Sequence, residues 1–260
     1  MHTSLNGAPG HDLYAPCNIA DLKSSGFRYW ALGHIHKRSV TEGDCTIVMP
    51  GMPQGRDINE AGVKSVTLVT VEDDRSIRIE ERATSLAQFE RIGVDVTGLD
   101  DWPDLLDGLT AAMEKARVST ASPHLVARLQ LSGVTPLAWR IRRDLDLLKA
   151  EADDRAGVIG QCWVEKLDVD CSAPGQSTGT AANPVSELRL LIDEEVIGSE
   201  AYQAEVEKIA GELRSQLPQE CRSILGTDEA SGNAAMAQLI REGAEDVLAR
   251  LHAAKIEEVG

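Results

Sequence analysis

Residues 29–36 read Tyr29-Trp30-Ala31-Leu32-Gly33-His34-Ile35-His36, an apolar run that ends in a glycine and two histidines one residue apart. Phe27 to Leu32 reads as a buried strand that delivers the imidazoles at its end. In extended backbone, residues i and i+2 point the same way, so the spacing predicts both rings facing one cavity. Gly33 would supply the tight turn such a loop needs. Neutral imidazole is the commonest protein ligand for metals, which makes the pair a candidate metal site. His-x-His also stands in ordinary surface loops, so its neighbours decide the reading.

Upstream lie His2-Thr3-Ser4-Leu5-Asn6-Gly7 and Tyr14-Ala15-Pro16-Cys17, followed by a short helix. Downstream lies Pro50-Gly51-Met52-Pro53-Gln54-Gly55-Arg56. This order resembles the last third of a calcineurin-like metallophosphoesterase domain, specifically that of bacterial DNA repair exonucleases of the SbcD type. The resemblance covers Met1 to Thr84 through specific motifs and the following domain more loosely. It implies that His2 and His34 bind one cation and His36 another. It also implies a divalent metal, with manganese suited to mixed imidazole and carboxylate ligands. A complete site of this kind holds two cations and cleaves phosphodiesters by in-line attack of a metal-generated hydroxide.

Gln54 and Arg56 are candidate phosphate-binding residues. Gly55 lets the backbone approach a ligand, and the Arg56 guanidinium suits phosphate. An ion pair between Arg56 and Glu60 or Asp57 is the equal alternative.

The chain also departs from the family pattern. No G-N-H-D, no early D-x-H and no bridging aspartate is found, and Met52 stands where asparagine is frequent. The chain therefore looks like the C-terminal portion of such a nuclease. Three imidazoles without a bridging carboxylate leave the repulsion between two dications uncompensated, so one bound cation or none is expected, with little or no activity from the chain alone. Two other readings stay open: a degenerate phosphoesterase that binds DNA or a partner without catalysis, and a small-molecule phosphoesterase.

Composition narrows the classes. Of 260 residues, 26 are basic and 42 acidic, a formal charge of −16. Nucleic acid is bound mainly by Lys and Arg through counterion release, and 3% aromatic content leaves few rings for stacking. DNA would thus be met locally, through the metal site or the cap, and not over a basic surface. No run of 18 apolar residues predicts a membrane span, and no signal-peptide pattern opens the chain. Five scattered cysteines without C-x-x-C spacing read as reduced thiols of a cytoplasmic protein.

The predicted fold class is α/β: a partial calcineurin-like layered β-sandwich, a small α/β capping domain and a helical C-terminal tail. The corresponding boundaries are 1–85, 86–171, a small-residue linker over 172–184, and 185–260. Strands are expected over Arg38–Val40, Thr46–Met49, Val66–Glu72 and Ile77–Arg82. An unpaired sheet of this kind wants a cover, from a missing N-terminal half or a second copy. In the cap, an α-β-α-β order is expected. Its helices are Asp101 to Ala116 and Pro136 to Ala150, and its strands Leu125–Leu131 and Cys162–Val169. The basic cluster Arg140, Arg142 and Arg143 is offset by Asp144 and Asp146. His11 and Asp12 read as solvated loop residues. The acidic tail reads equally as a plain helical tail with a solvated acidic face or as a docking region for an SMC-like ATPase, the usual companion of these nucleases.

Overall fold

A computed structural model describes residues 1–6, 14–174, 184–218, 221, 226 and 228–257. His11, Asp12 and most of the 172–184 linker lie outside the described residues. The chain is mixed α/β and consistent with a partial phosphoesterase-like fold. It divides into two compact units. One takes Met1–Val94, Leu106–Leu131 and Lys149–Asp168; the other takes Asp95–Leu105, Ser132–Leu148 and Val169–Gly260.

The first unit begins with helix α1, Ile19–Ser24. Asn18 caps it: its side chain accepts from the Asp21 amide while the Asp21 carboxylate accepts from the Asn18 amide. Gly26, at φ +81°, ends it. Strands β1 (Tyr29–Ala31), β2 (Ser39–Thr41) and β3 (Thr46–Met49) form a sheet in the order β1-β3-β2. Strand β3 pairs parallel to β1 and antiparallel to β2. Leu22, Leu32, Cys45, Ile47 and Met49 make the core beneath it. The Trp30 indole donates to the Leu22 carbonyl at 3.1 Å, joining helix to strand. The strand is shorter than the apolar run suggested, and Phe27 is exposed.

Strands β4 (Ser65–Val71) and β5 (Ile77–Ala83) pair as an antiparallel ribbon around a turn closed by the Arg75 amide donating to the Glu72 carbonyl. One face carries Val66 and Leu68, both exposed. Their cross-strand neighbours Arg82 and Glu80 belong to a ladder in which Glu80 accepts from Arg78 and Arg82.

A third sheet has the order β6-β7-β8, from Ala87–Asp95, His124–Val134 and Cys162–Ser172. Its register advances together: His124 donates to Leu86 and Val96 to Ser132, while Leu125 donates to Gln161 and Thr135 to Ser172. The strands are therefore parallel, which requires helical crossovers. Helix α2 (Trp102–Ser119) supplies one; α3 (Ala138–Arg143) and α4 (Leu145–Ile159) supply the other. Leu125, Ala127, Leu129 and Leu131 are fully buried on the central strand. Leu105, Leu109 and Met113 of α2 are equally enclosed.

Two expectations are corrected here. The order starts with strand β6, which was not foreseen, giving β-α-β-α-α-β. The expected single helix over 136–150 is two helices, broken where Asp144 leaves helical geometry. Asp144 instead closes the Arg143 fork with two 2.7 Å hydrogen bonds.

The second unit also holds the tail: α5 (Pro184–Leu191), a π-helical turn over Ile192–Val196, α6 (Glu200–Gln216) and α7 (Glu229–Glu257). In α6, Ile209 and Leu213 are exposed, while Ala210 is buried. The Arg142 guanidinium donates to the Cys171 carbonyl and stands 4.0 Å from Glu245, and Arg140 lies over the Trp102 ring. The basic cluster is thus largely committed to internal contacts. No helix among the described residues is long and apolar enough to cross a membrane. The five cysteines are all unpaired.

Candidate metal centre

His2 reaches the histidine loop through backbone register. The Gly33 amide donates to the Met1 carbonyl at 2.9 Å, and the Thr3 amide donates to the Gly33 carbonyl at 3.1 Å. His2 and Gly33 thereby form a parallel bridge. Thr3 and Ser4 are buried and anchor the segment: the Thr3 hydroxyl donates to Ala15, and the Ser4 hydroxyl accepts from the Tyr14 amide. A side chain at Gly33 would begin 3.3 Å from His2 Nδ1, so glycine keeps space for that ring.

The imidazoles of His2 and His34 meet with His34 Nδ1 and His2 Nε2 3.1 Å apart. Tyr14 edges onto His2 with ring centroids 5.3 Å apart. The positive φ expected at Gly33 falls instead on His34, at +108°. Gly33 is extended because it is held in the bridge to His2. That twist at His34 breaks the i, i+2 alternation, and the two rings of the His-x-His pair take different partners. His36 Nδ1 lies 2.9 Å from Glu60 Oε1.

Glu60 sits at the end of a 3-10 turn over Ile58–Glu60, started by Asp57, whose side chain accepts from the Asn59 amide. Gly55 is required beneath it, since a Cβ there would lie 2.7 Å from the Glu60 carbonyl oxygen. The Glu60 carboxylate is surrounded by donors. Oε1 receives His36 Nδ1 at 2.9 Å and Arg56 Nη2 at 2.7 Å. Oε2 receives the Arg56 amide at 2.8 Å and Arg56 Nε at 3.3 Å. The Arg56 hydrogen bond, chiefly, holds the Glu60 carboxyl well below its ordinary range, at about 2. Arg56 is raised in turn by Glu60.

Of the two open readings of Arg56, the ion pair with Glu60 is the arrangement adopted, although the Arg56 side chain remains 68% exposed. Gln54 is engaged by backbone. Its amide nitrogen donates to Gly55 and Ala87, and its oxygen accepts from the amides of Leu86 and Ala87. Its two amide hydrogens are therefore both used, one within its own loop and one at the start of β6, where the side-chain oxygen also holds the backbone.

The donor chemistry fits a divalent cation in part. The 3.1 Å separation of His2 Nε2 and His34 Nδ1 is that of a hydrogen bond between the rings, so one of the two nitrogens holds a proton that a cation would displace. Among the described residues, no group of three or more His, Cys, Asp or Glu side chains is arranged to hold a metal. His2 and His34 thus offer at most a two-nitrogen half-site, with His36 placed separately by Glu60. Sequence reasoning weighed Glu60 only as a partner of Arg56. The i, i+4 spacing from Arg56 signalled that pair, but nothing local signalled the contact with His36.

Two comparisons with known proteins bear on the chain. Residues 89–172 match the family model described as the middle domain of metallophosphoesterase YhaO. The chain is also 38% identical over 173 residues to the uncharacterized metallophosphoesterase YhaO of Bacillus subtilis (strain 168). That match takes in 65% of this chain and 41% of the relative, so the chain spans about two fifths of the length of the protein it resembles. Both matches support the metallophosphoesterase family for this chain, with residues 89–172 similar to its middle domain.

Proposed function

We propose that this chain carries the C-terminal histidine ligands and the capping domain of a metal-dependent phosphoesterase whose substrate is the phosphodiester backbone of DNA, as in SbcD-type repair exonucleases. The observation that carries this reading is the convergence of His2 Nε2 and His34 Nδ1 to 3.1 Å at the end of β1. Manganese is the proposed cation, held by His2 and His34, with His36 serving a second cation when carboxylates complete the site. A bound cation would polarise the phosphate and supply the nucleophilic hydroxide. The proposed division is a phosphoesterase portion over 1–85, a cap over 86–171, a linker over 172–184 and a tail over 185–260, in a cytoplasmic protein.

An apolar groove of about 460 Å³ between α6 and α7, lined by Ile209, Leu213, Leu239 and Ile240, supports a role for the tail in contacting an ATPase partner. The two-nitrogen half-site also supports low activity of this chain alone, because a dication held by neutral ligands lacks compensating charge.

The test is to express the chain alone and joined to an N-terminal segment bearing D-x-H, G-D and G-N-H-D. Bound manganese and digestion of linear DNA, nucleotides and phosphomonoesters are then measured. The reading expects digestion of DNA by the joined protein and little by the chain alone. Preference for phosphomonoesters would make it a small-molecule phosphoesterase. Metal-loaded protein that cleaves nothing would leave it a binding protein.

A further inference from the structure

We propose that Glu60, clamped by Arg56, is a positioning residue that fixes His36 in its Nδ1–H tautomer and so turns Nε2 into the metal-donating nitrogen. The inference rests on the reading of His36 as a ligand, and adds a residue that the family motifs quoted above do not include.

A neutral imidazole carries one proton, and the partner of one nitrogen decides which nitrogen keeps it. Glu60 Oε1 stands 2.9 Å from His36 Nδ1. An ionised carboxylate only accepts, so Nδ1 must be the donor and Nε2 must bear the lone pair. Carboxylates placed behind metal-binding histidines set ring orientation and raise ligand basicity in this way.

The carboxylate itself is immobilised. Its two oxygens receive four hydrogen bonds, three from Arg56 and one from His36. The backbone beneath is fixed by the Asp57-started turn and by the close approach of Glu60 to Gly55. Arg91 secures the same turn by donating to the Ile58 carbonyl at 2.9 Å. The Glu60 side chain is 12% exposed while that of Arg56 is 68% exposed. The guanidinium therefore faces solvent and holds the carboxylate from outside, while the carboxylate faces His36.

The experiment reads the tautomer without metal. Histidine-labelled chain is examined by long-range proton–nitrogen NMR above the titration range of imidazole. Wild type is expected to show His36 in the Nδ1–H form. Glu60→Ala should lose that form, and Glu60→Gln should keep most of it, because the amide oxygen still accepts from Nδ1.

His36 found as the Nε2–H tautomer in wild type, or unchanged in Glu60→Ala, would overturn the proposal. Should Glu60→Ala fail to fold, Glu60→Gln and wild type still decide it, since the tautomer of the native chain is the primary readout. A native Nδ1–H signal, with the protein joined to the N-terminal segment cleaving neither DNA nor nucleotides nor phosphomonoesters, would sustain the positioning of His36 while refuting the phosphoesterase reading.

Discussion

Gly51 is where the loop after β3 touches the backbone of the histidine loop, and replacing it by alanine gives a prediction whose magnitude the structure sets. Gly51 has φ +77°, in the left-handed region. Any L-residue there pays about 1–2 kcal/mol. A Cβ at Gly51 would also lie 2.9 Å from the His36 carbonyl oxygen and 3.0 Å from the Arg38 nitrogen. Both are backbone atoms, so no rotamer change relieves the overlap, and forced overpacking typically costs about 1–3 kcal/mol more. Gly62 is the internal control. Its φ is +84°, and a Cβ there would meet nothing within 4 Å. Gly62→Ala should cost only the conformational part, about 1–2 kcal/mol, and Gly51→Ala about 2–5 kcal/mol once the overlap is added. Urea unfolding followed by circular dichroism measures both, and the His36 amide resonance should shift only in Gly51→Ala. Equal losses in the two variants would refute the claim that Gly51 permits a close approach.

Three further outcomes follow from burial and charge. Leu129→Ala, at a fully enclosed position of β7, should destabilise by about 2–5 kcal/mol, whereas Leu86→Ala, 68% exposed, should cost far less; thermal melting of the two variants checks this. Glu165 and Asp144 are both held below the ordinary carboxylate range, chiefly by hydrogen bonds from Arg128 and Arg143 respectively. Their contribution is present above the unfolded values near about 4 and is lost as pH falls through the lower folded values. An acid titration of stability should therefore be shallower in Arg128→Met below about pH 4, by roughly 1 kcal/mol or less for so exposed a pair. Asn18→Ala removes the cap of α1 and should cost about 1 kcal/mol, read as a lowered urea midpoint.

How much was legible beforehand depends on whether the cause was local. Thr46–Met49 and the β4–β5 ribbon announce themselves by alternation and a turn sequence. Likewise, Leu125 to Leu131 showed its buried face because four apolar residues recur at period two. Strand β6 escaped because Ala87 to Asp95 buries Gln88 and Val94 but contains Gly93 and charged residues. Its place is set by hydrogen bonds to β7, which no local pattern reveals. The break at Asp144 was hidden because Ile141 and Leu148, seven residues apart, keep helical spacing through it.

At the site, the pairing of His2 with His34 followed from their place in a motif order, although they lie 32 residues apart. The assignment of both His-x-His rings to one cavity assumed extended backbone. Residue His34 is not extended, because the bridge at Gly33 fixes the chain just before it. The contact of His36 with Glu60 depends on how two loops meet, which is a tertiary fact.

The most direct test of the central claim is calorimetric titration of manganese into the native chain and into His2→Ala and His34→Ala. The half-site predicts weak binding of one cation by the native protein and at least about tenfold weaker binding in each variant, since even losing an outer partner typically brings that much. Equal affinity in all three proteins would contradict it.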